Sequence, residues 1–262
     1  MDSNSSMATR SSTTARKASP LKPIMFCDFD GTITQVDVTD EILTQLANPS
    51  WREIEQEWAC GSIGSRECLE RQLALVDASA EELDSLIDAI PVDPGFSGFL
   101  QWIERSKVPF YVVSDGFDYV VRRVLKRAGV NGQLRNGTHL FASSLAVEGR
   151  RVKASFPHAV NGCAHGCATC KAEIMRRLSR GRKPVVFAGD GLSDRYAVEE
   201  ADIVFAKRQL LVYCRKQRIA CRPFETFADI QASLAELLEE LSLARRTRRT
   251  DQKKRAAAAL IR

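Results

Sequence analysis

The sequence predicts an α/β fold with a doubly wound parallel sheet, and two observations support this prediction. First, short apolar runs alternate with amphipathic stretches from Ile24 to about residue 241. Second, four of the runs are apolar throughout, as strands must be when both faces of a parallel sheet are covered. These strands are predicted over residues 24–29, 108–113, 185–188 and 203–206.

The first predicted strand ends in two carboxylates, Asp28 and Asp30, which Gly31 follows directly. In an extended chain, residues two positions apart point the same way. Like charges at the edge of an apolar core raise one another's pKa, and their desolvation costs on the order of several kcal/mol. We therefore expect a positive charge between them.

The segment between the first two strands, residues 36–94, predicts a helical cap inserted over the edge of the sheet. It contains four amphipathic stretches, separated by Gly and Pro, and it is too long for a simple crossover. The helices are predicted over residues 40–47, 51–59, 65–76 and 80–90. The core domain then comprises residues 23–35 and 95–244.

The rest of the core contains a predicted hairpin and two predicted helices. The stretch LAVEGRRVKA predicts a hairpin that turns at Glu148 and Gly149. A helix is predicted to begin at Lys171 and to end at Gly181, and an amphipathic helix is predicted over residues 229–243. No internal repeat is visible.

Polar residues follow three of the strands, where ligands bind in doubly wound sheets. Besides the first strand, the second ends at Ser114, Asp115 and Gly116, and the third ends at GDGLSD, which holds Asp190 and Asp194. If the first and third strands are neighbours, their carboxylates meet. Such oxygen ligands suit Mg²⁺, so the sequence predicts a magnesium site. Its predicted ligands are Asp28, Asp30, Asp190 and Asp194.

Four motifs in this order resemble those of the haloacid dehalogenase-like phosphatases: DFDGT, VVSDG, a Lys that opens a helix, and GDxxxD. Together they cover most of residues 24–230. The resemblance implies that Asp28 attacks phosphorus to form an aspartyl phosphate, and that Asp30 protonates the leaving oxygen and then activates water. It also implies that Ser114 and Lys171 bind phosphoryl oxygens, with Asp115 and Gly116 alongside. Dehalogenases lack an Asp at the position of Asp30, which favours phosphomonoester hydrolysis.

The position of the predicted cap resembles the phosphoserine phosphatase branch of the superfamily, subfamily IB. In that branch a cap acid and a cap Arg engage the substrate, and the matching positions here are Asp37 and Arg71. Two other interpretations stay open, since Asp37 also suits the start of a helix and Arg71 also suits the surface.

A narrower resemblance concerns FPHAVNGCAHGCATCK, FAGDGLSD and the later YCR, which are similar to methionine-salvage phosphatases acting on 2-hydroxy-3-keto-5-methylthiopentenyl-1-phosphate. Relatives with other substrates share this layout. We therefore expect a small phosphorylated metabolite as substrate, either this enol phosphate or a related ester, with phosphoserine as the alternative.

Three cysteines just ahead of Lys171, namely Cys163, Cys167 and Cys170, have two interpretations. They either bind zinc or belong to a glycine-eased loop that shapes the pocket, although CxxxCxxC is not a standard zinc spacing. Zinc binding would favour another class of protein, a zinc-stabilised or nucleic-acid-binding module without catalysis. The complete set of catalytic motifs argues against that class.

The net charge of +5 is concentrated at the two ends of the chain. Residues 1–22 have a net charge of +3 and residues 245–262 have +7, so the body between them has −5. An acidic body is not typical of nucleic-acid-binding proteins. Both ends are predicted to be weakly ordered tails, and the Ser- and Thr-rich N-terminal end also resembles an organellar transit peptide.

The composition predicts a soluble, cytoplasmic protein. No apolar run approaches the roughly 20 residues that span a bilayer, no apolar leader is visible, and eight cysteines fit a reducing compartment. No membrane partner is expected. The sequence leaves the assembly open, a homodimer included.

Overall fold

The computed structural model of the chain describes residues 22–130 and 139–260. The predicted N-terminal tail therefore lies, except for Lys22, outside the described residues. Within them the chain forms one seven-stranded sheet, in which one pair of neighbouring strands is antiparallel and the other pairs are parallel. This confirms the predicted α/β class. Along the chain, the strands are β1 (Ile24–Cys27), β2 (Phe110–Phe117), β3 (Leu140–Glu148), β4 (Arg151–Ser155), β5 (Val185–Gly189), β6 (Ile203–Ala206) and β7 (Arg222–Pro223). Across the sheet their order is β4-β3-β2-β1-β5-β6-β7, and β3 and β4 are the antiparallel pair.

The central strand β1 shows why these apolar runs form a doubly covered sheet. Its four side chains are fully buried and alternate between the two faces. Met25 and Cys27 join the larger apolar core, whereas Ile24 and Phe26 join a second core on the opposite face. Both faces of the sheet are therefore covered at β1, and only the end of this strand is open to a ligand.

Residues 36–94 contain the four predicted helices: α1 (Val38–Leu46), α2 (Trp51–Ala59), α3 (Ser65–Leu73) and α4 (Ala80–Ala89). The start of α4 is fixed by a capping box, in which Ser79 accepts from the Glu82 N–H and the Glu82 carboxylate accepts from the Ser79 N–H. We call residues 36–94 the helical insertion.

Five further helices complete the layers: α5 (Phe96–Arg105), α6 (Asp118–Arg127), α7 (Lys171–Leu178), α8 (Arg208–Gln217) and α9 (Phe227–Leu260). Of these helices, α7 and the first half of α9 were predicted from the sequence, whereas α5, α6 and α8 were not. Helix α5 packs on α9 through Phe96 and Phe227, whose ring centroids are 4.8 Å apart. Within the described residues, no helix combines the length and the apolar character needed to cross a membrane.

Several predicted boundaries differ from the observed ones, and three of them lie in the second half of the chain. Glu148 pairs with Arg151, so the hairpin turns at Gly149 and Arg150, one residue later than predicted. Helix α7 ends at Leu178 rather than near Gly181, because the chain leaves the helix at Ser179. The last helix does not end near residue 243 but continues to Leu260, so the basic segment extends α9.

Candidate active site

The site lies where three neighbouring strands end together. In the sheet register, Cys27 at the end of β1 is opposite Val112 of β2 and Ala188 of β5. The residues that follow these three strands therefore meet at one edge of the sheet. This edge brings together Asp28, Ser114 and Asp190, as the sequence predicted.

Three carboxylates and one lysine form the centre of the site. Asp28, Asp190 and Asp194 each offer an oxygen atom within 4.8 Å of the others. Lys171 opens α7 and is 3% exposed. Its Nζ lies 2.7 Å from Asp28 Oδ1 and 2.6 Å from Asp194 Oδ1. The lysine is therefore held by the acidic cluster at the point where Asp28 faces the pocket.

The electrostatics of this centre favour a bound cation. Burial, and then the charge of Asp194, raise the pKa of Asp28 well above its ordinary value, and the same two causes raise the pKa of Asp190. Burial lowers the pKa of Lys171, but Asp194 and Asp28 outweigh burial and raise it well above its ordinary value. The raised pKa values of Asp28 and Asp190 indicate that the basic side chains nearby do not fully compensate the carboxylates, so a divalent cation fits here.

The donor set also fits Mg²⁺ in its chemistry, because hard carboxylate oxygens converge. Asp190 is oriented by the Thr32 hydroxyl, which donates to its Oδ1 across 3.0 Å. Asp194 is engaged at both oxygens, since Oδ1 contacts Lys171 and Oδ2 accepts from the N–H groups of Asp190 and Gly191 at 3.1 and 3.3 Å. Asp28 and Asp190 line the pocket, whereas Asp194 does not and is fully buried, so the first two are better placed to hold the ion directly.

The Asp30 carboxylate lies apart from this acidic cluster. Strand β1 ends at Cys27, two residues earlier than predicted, so the two-residue alternation of an extended chain does not apply to Asp28 and Asp30. Asp30 instead accepts from Ser114 Oγ at 3.1 Å and from the Val38 N–H at 3.2 Å. Burial, followed by the charge of Asp37, raises the pKa of Asp30 to about 7.

Gly116 allows this arrangement because the chain passes very close to Asp30. A Cβ atom at Gly116 would lie 2.2 Å from Asp30 Oδ2, closer than any side chain tolerates. Its N–H donates to Ser114 Oγ at 2.9 Å, which orients the hydroxyl towards Asp30. The neighbouring Asp115 also lines the pocket and accepts from the Thr169 N–H at 2.9 Å.

The two residues predicted to contact the substrate from the helical insertion lie in different places. Asp37 lines the pocket and also begins α1, where its carboxylate accepts from the Asp40 N–H at 3.0 Å. Arg71 is not among the residues that line the pocket. Its guanidinium pairs with Glu57 at 2.7 Å and with Glu67 at 3.4 Å. The structure thus supports the surface interpretation of Arg71.

The far end of the pocket is acidic and is built mostly by the helical insertion. Asp37, Asp40 and Glu55 line it together with Trp58. The described lining contains no lysine or arginine. Burial and neighbouring acids raise the pKa of Asp37 to about 7 and that of Asp40 to about 6.

The loop that carries Cys163, Cys167 and Cys170 joins the core to the helical insertion. Gly166 accepts from the Arg66 N–H at 3.1 Å, and Ser65 Oγ accepts from the Ala168 N–H at 3.0 Å. All three cysteines are free thiols. In the part of the chain that is described, only Asp28, Asp190 and Asp194 form a three-residue group with metal-ligand spacing. The Cys163 thiol contacts those of Cys167 and Cys170, but the three do not meet that spacing, so the zinc and the pocket-shaping interpretations both stay predictions.

The family profile of the haloacid dehalogenase-like hydrolases matches residues 25–199. The chain belongs to this family. A similar protein is the 2-hydroxy-3-keto-5-methylthiopentenyl-1-phosphate phosphatase of Bacillus mycoides (strain KBAB4), with 32% identity over 82% of this chain and 97% of the relative. The protein of the same name from Geobacillus kaustophilus (strain HTA426) is 30% identical over 79% of this chain and 93% of the relative.

Solved structures of this family share the fold. A phospho-aspartyl intermediate analogue of phosphoserine phosphatase has a TM-score of 0.60 and 20% identity, and covers 84% of this chain and 99% of its own. A substrate-bound phosphoserine phosphatase complex also has a TM-score of 0.60 and 20% identity, over 82% and 99% of the two chains. The doubly wound sheet with a helical insertion is therefore the fold of this hydrolase.

Several residues of the site were missed by the sequence analysis. Thr32 contacts Asp190, Ser193 Oγ lies 3.2 Å from Lys171 Nζ, and Lys207 and Arg208 follow β6. Lys207 is buried and donates to the Thr32 carbonyl at 3.3 Å. A signal was available for the last two, because β6 was predicted correctly and its carboxyl end points to the same edge.

Proposed function

We propose that this hydrolase is a Mg²⁺-dependent phosphomonoesterase that acts on a small phosphorylated metabolite through an aspartyl phosphate at Asp28. The observation that carries the proposal is the ion pair between the buried Asp28 carboxylate and Lys171 at the open edge of the sheet. Asp28 is 4% exposed, lines the pocket and has Lys171 Nζ at 2.7 Å. A group this buried is retained for chemistry rather than for stability.

In the first half-reaction the Asp28 carboxylate attacks phosphorus and the bond from phosphorus to the ester oxygen breaks. Lys171 fixes Asp28 Oδ1, which leaves Oδ2 to approach the phosphoryl group, and its charge stabilises the phosphoryl oxygens as negative charge develops. Asp30 is the acid that gives its proton to the leaving oxygen. Its pKa of about 7 keeps a protonated fraction near neutral pH.

In the second half-reaction water attacks the phosphorus of the aspartyl phosphate. Asp30, now ionised, takes the proton of this water, the bond from phosphorus to Asp28 breaks, and inorganic phosphate leaves. Ser114 Oγ holds the Asp30 carboxylate at 3.1 Å throughout. The chain is thereby returned to its starting state with Asp28 ionised and Asp30 protonated.

We propose that Asp28 and Asp190 hold the Mg²⁺ ion, with Asp194 holding Lys171 and the loop N–H groups. When bound, Mg²⁺ supplies positive charge that neutralises the phosphoryl group and orients it. The Asp30 side chain, predicted as a ligand, has its partners in Ser114 and Val38, and we assign it to proton transfer alone.

We propose further that the substrate carries no negative group beyond its phosphate. The pocket beyond the phosphate end presents Asp37, Asp40 and Glu55, and a carboxylate there would meet like charges. Arg71, which would be needed to receive a carboxylate, is paired with Glu57. An enol phosphate without a carboxylate, of the kind named for the relatives, fits this lining better than phosphoserine, whose carboxylate would lie against the acidic wall.

The helical insertion is proposed to act as a cap, since it supplies the far wall of the pocket. The boundaries of the two domains, the cytoplasmic location and a homodimer stay predictions.

A substrate comparison tests the proposed function. We expect purified full-length chain with Mg²⁺ to show a kcat/KM for 2-hydroxy-3-keto-5-methylthiopentenyl-1-phosphate at least about tenfold above that for phosphoserine, and EDTA to abolish both activities. The matched control is Asp28→Asn, which should be inactive on every ester. A higher kcat/KM for phosphoserine would overturn the proposal that the substrate carries no negative group beyond its phosphate. The absence of hydrolysis of any ester with Mg²⁺ would overturn the phosphatase proposal itself.

A further inference from the structure

The first residue of α8, Arg208, has an unusual backbone conformation at the edge of the site. Its φ is +47°, in the left-handed region that non-glycine residues rarely adopt. Residues are held in this conformation only where their surroundings fix them, and such residues cluster at functional sites. Arg208 belongs to none of the four family motifs.

The guanidinium of Arg208 joins two parts of the active site. Its terminal nitrogen Nη1 lies 3.2 Å from Asp190 Oδ2, and its second terminal nitrogen, Nη2, donates to the Gln35 carbonyl at 2.5 Å. The helix start is tied to the same loop by its backbone, since the Leu210 N–H donates to the Asp190 carbonyl at 2.8 Å. Asp190 thus has three partners: Arg208 and Thr32 bind its carboxylate, and the Leu210 N–H binds its carbonyl.

Gln35 is the point where the helical insertion leaves the core. Its N–H donates to the Pro91 carbonyl at 2.9 Å, and Thr34 forms a bridge with Val92, so both ends of the insertion are paired here. Gly31 leaves room for the Arg208 side chain, because a Cβ atom at Gly31 would lie 2.7 Å from Arg208 Nη1 and 2.3 Å from Asp190 Oδ2. Arg208 therefore connects the base of the insertion to the metal-site carboxylate.

The ion pair itself does not explain why the strained backbone is kept. The Arg208 side chain is 46% exposed, and pairs at that exposure add little stability. A left-handed non-glycine residue loses more stability than such a pair returns. Positioning of Asp190 accounts for the conformation, since partners of metal ligands commonly change metal affinity by 10–100-fold.

We propose that Arg208 is a positioning residue that holds Asp190 in the orientation that binds Mg²⁺ and ties the base of the helical insertion to the metal site. This inference rests on the proposed function, in which Asp190 is a ligand. The positive charge of the guanidinium opposes a nearby cation. Solvent screens that opposition at a half-exposed side chain, whereas the orientation of the carboxylate is not screened.

The test compares Arg208→Asn with a matched control, Arg218→Asn. Arg218 ends the same helix with a φ of +58°, so both variants place Asn, which tolerates this conformation, at a left-handed position of α8. The measurements are the Mg²⁺ dissociation constant of the full chain by calorimetry, the Tm without Mg²⁺, and kcat/KM for p-nitrophenyl phosphate.

We expect Arg208→Asn to raise the Mg²⁺ dissociation constant about tenfold without lowering the Tm, and Arg218→Asn to leave it within about twofold. Arg208→Lys, which keeps the charge but not the fork of two donors, should also weaken Mg²⁺ binding. The inference is overturned if Arg208→Asn binds Mg²⁺ as tightly as the parent or more tightly, or if both Asn variants weaken it equally. The proposed function fails separately, if the parent chain hydrolyses no phosphate ester.

Discussion

The two ends of the active-site pocket treat negative charge in different ways. At the phosphate end, Asp28, Asp190 and Asp194 contact Lys171, Arg208, hydroxyls and backbone N–H groups. At the leaving-group end, Asp30, Asp37 and Asp40 have pKa values raised to about 7, 7 and 6, and no basic residue lines that part of the described pocket. One end surrounds its carboxylates with basic side chains, hydroxyls and N–H groups, and the other keeps carboxyl groups that can exchange protons near neutral pH.

This difference explains how one pocket both binds a phosphoryl dianion and protonates its leaving group. Two carboxylates of equal environment would titrate together, whereas separate environments divide the work between nucleophile and acid. The difference is produced by where β1 ends, because Asp28 remains at the strand edge while Asp30 turns towards Ser114.

The largest effect is expected at the phosphate end, from Lys171→Met. The variant removes the cation that contacts both Asp28 and Asp194, so we expect kcat to fall by about 10³-fold or more. Steady-state hydrolysis of p-nitrophenyl phosphate measures this. Arg176→Met on the same helix is the control, since its pairs with Glu173 and Glu200 are exposed and its loss should be negligible. A loss under about tenfold for Lys171→Met would break the distinction between the two ends.

An intermediate effect is expected where the two ends meet, from Ser114→Ala. The hydroxyl lowers the pKa of Asp30 by donating to its ionised form, so its removal should raise that pKa further above about 7. The acid form of Asp30 is present below its pKa. With a poor leaving group, kcat/KM should fall about tenfold because Asp30 loses the hydroxyl that orients it. The decline of kcat/KM at high pH should move to a higher pH, because the acid form of Asp30 persists longer. A decline that moves to lower pH would show that Ser114 does not act through Asp30.

A small effect is expected from Arg71→Ala. Because Arg71 pairs with exposed Glu57 and does not line the pocket, we expect kcat/KM to change by less than about threefold, both for the natural ester and for p-nitrophenyl phosphate. The two activities are measured side by side. A loss confined to the natural ester would place Arg71 in substrate recognition, as in the phosphoserine phosphatase branch, and would give the leaving-group end a cation.

The smallest effect concerns stability and Asp37→Asn. Burial and Asp40 raise the pKa of Asp37 from the ordinary 3.8 to about 7, so the folded chain holds this proton more tightly than the unfolded chain does. The stabilisation is complete below about pH 4 and is lost as the pH rises through about 7, and it is small because water reaches the Asp37 carboxylate. Asn keeps the helix cap and cannot ionise. The variant should therefore match the parent in Tm at pH 4 and slightly exceed it at pH 8. A lower Tm at pH 8 would contradict the raised pKa.

Local motifs made most of the phosphate end predictable. Asp28, Ser114 and Asp190 follow continuous apolar runs, and a parallel sheet places all such ends at one edge. The strand order β2-β1-β5, which makes these ends neighbours, required the family resemblance or the structure, because apolar runs carry no information on which strands pair.

The leaving-group end was less predictable because it depends on contacts between distant segments. Glu55 and Trp58 reach the pocket only through the packing of the helical insertion, and Arg71 turns away because Glu57 lies within reach. The orientation of Asp30 was not predicted, because β1 ends two residues earlier than the sequence indicated. Arg208 carries no local signal of its left-handed backbone, since a glycine or an asparagine would be the expected residue there.

The most direct test of the mechanism is rapid-quench measurement of phosphoprotein with p-nitrophenyl phosphate and Mg²⁺, for the parent chain, Asp28→Asn and Asp30→Ala. We predict no phosphoprotein in Asp28→Asn, because an amide does not attack phosphorus. In Asp30→Ala we predict accumulation of an acid-stable, hydroxylamine-labile species, because this leaving group needs little protonation while hydrolysis lacks its base. Labelled phosphate trapped by Asp28→Asn, or an Asp30→Ala variant that turns over poor leaving groups at the parental rate, would contradict the division of roles between the two ends of the pocket.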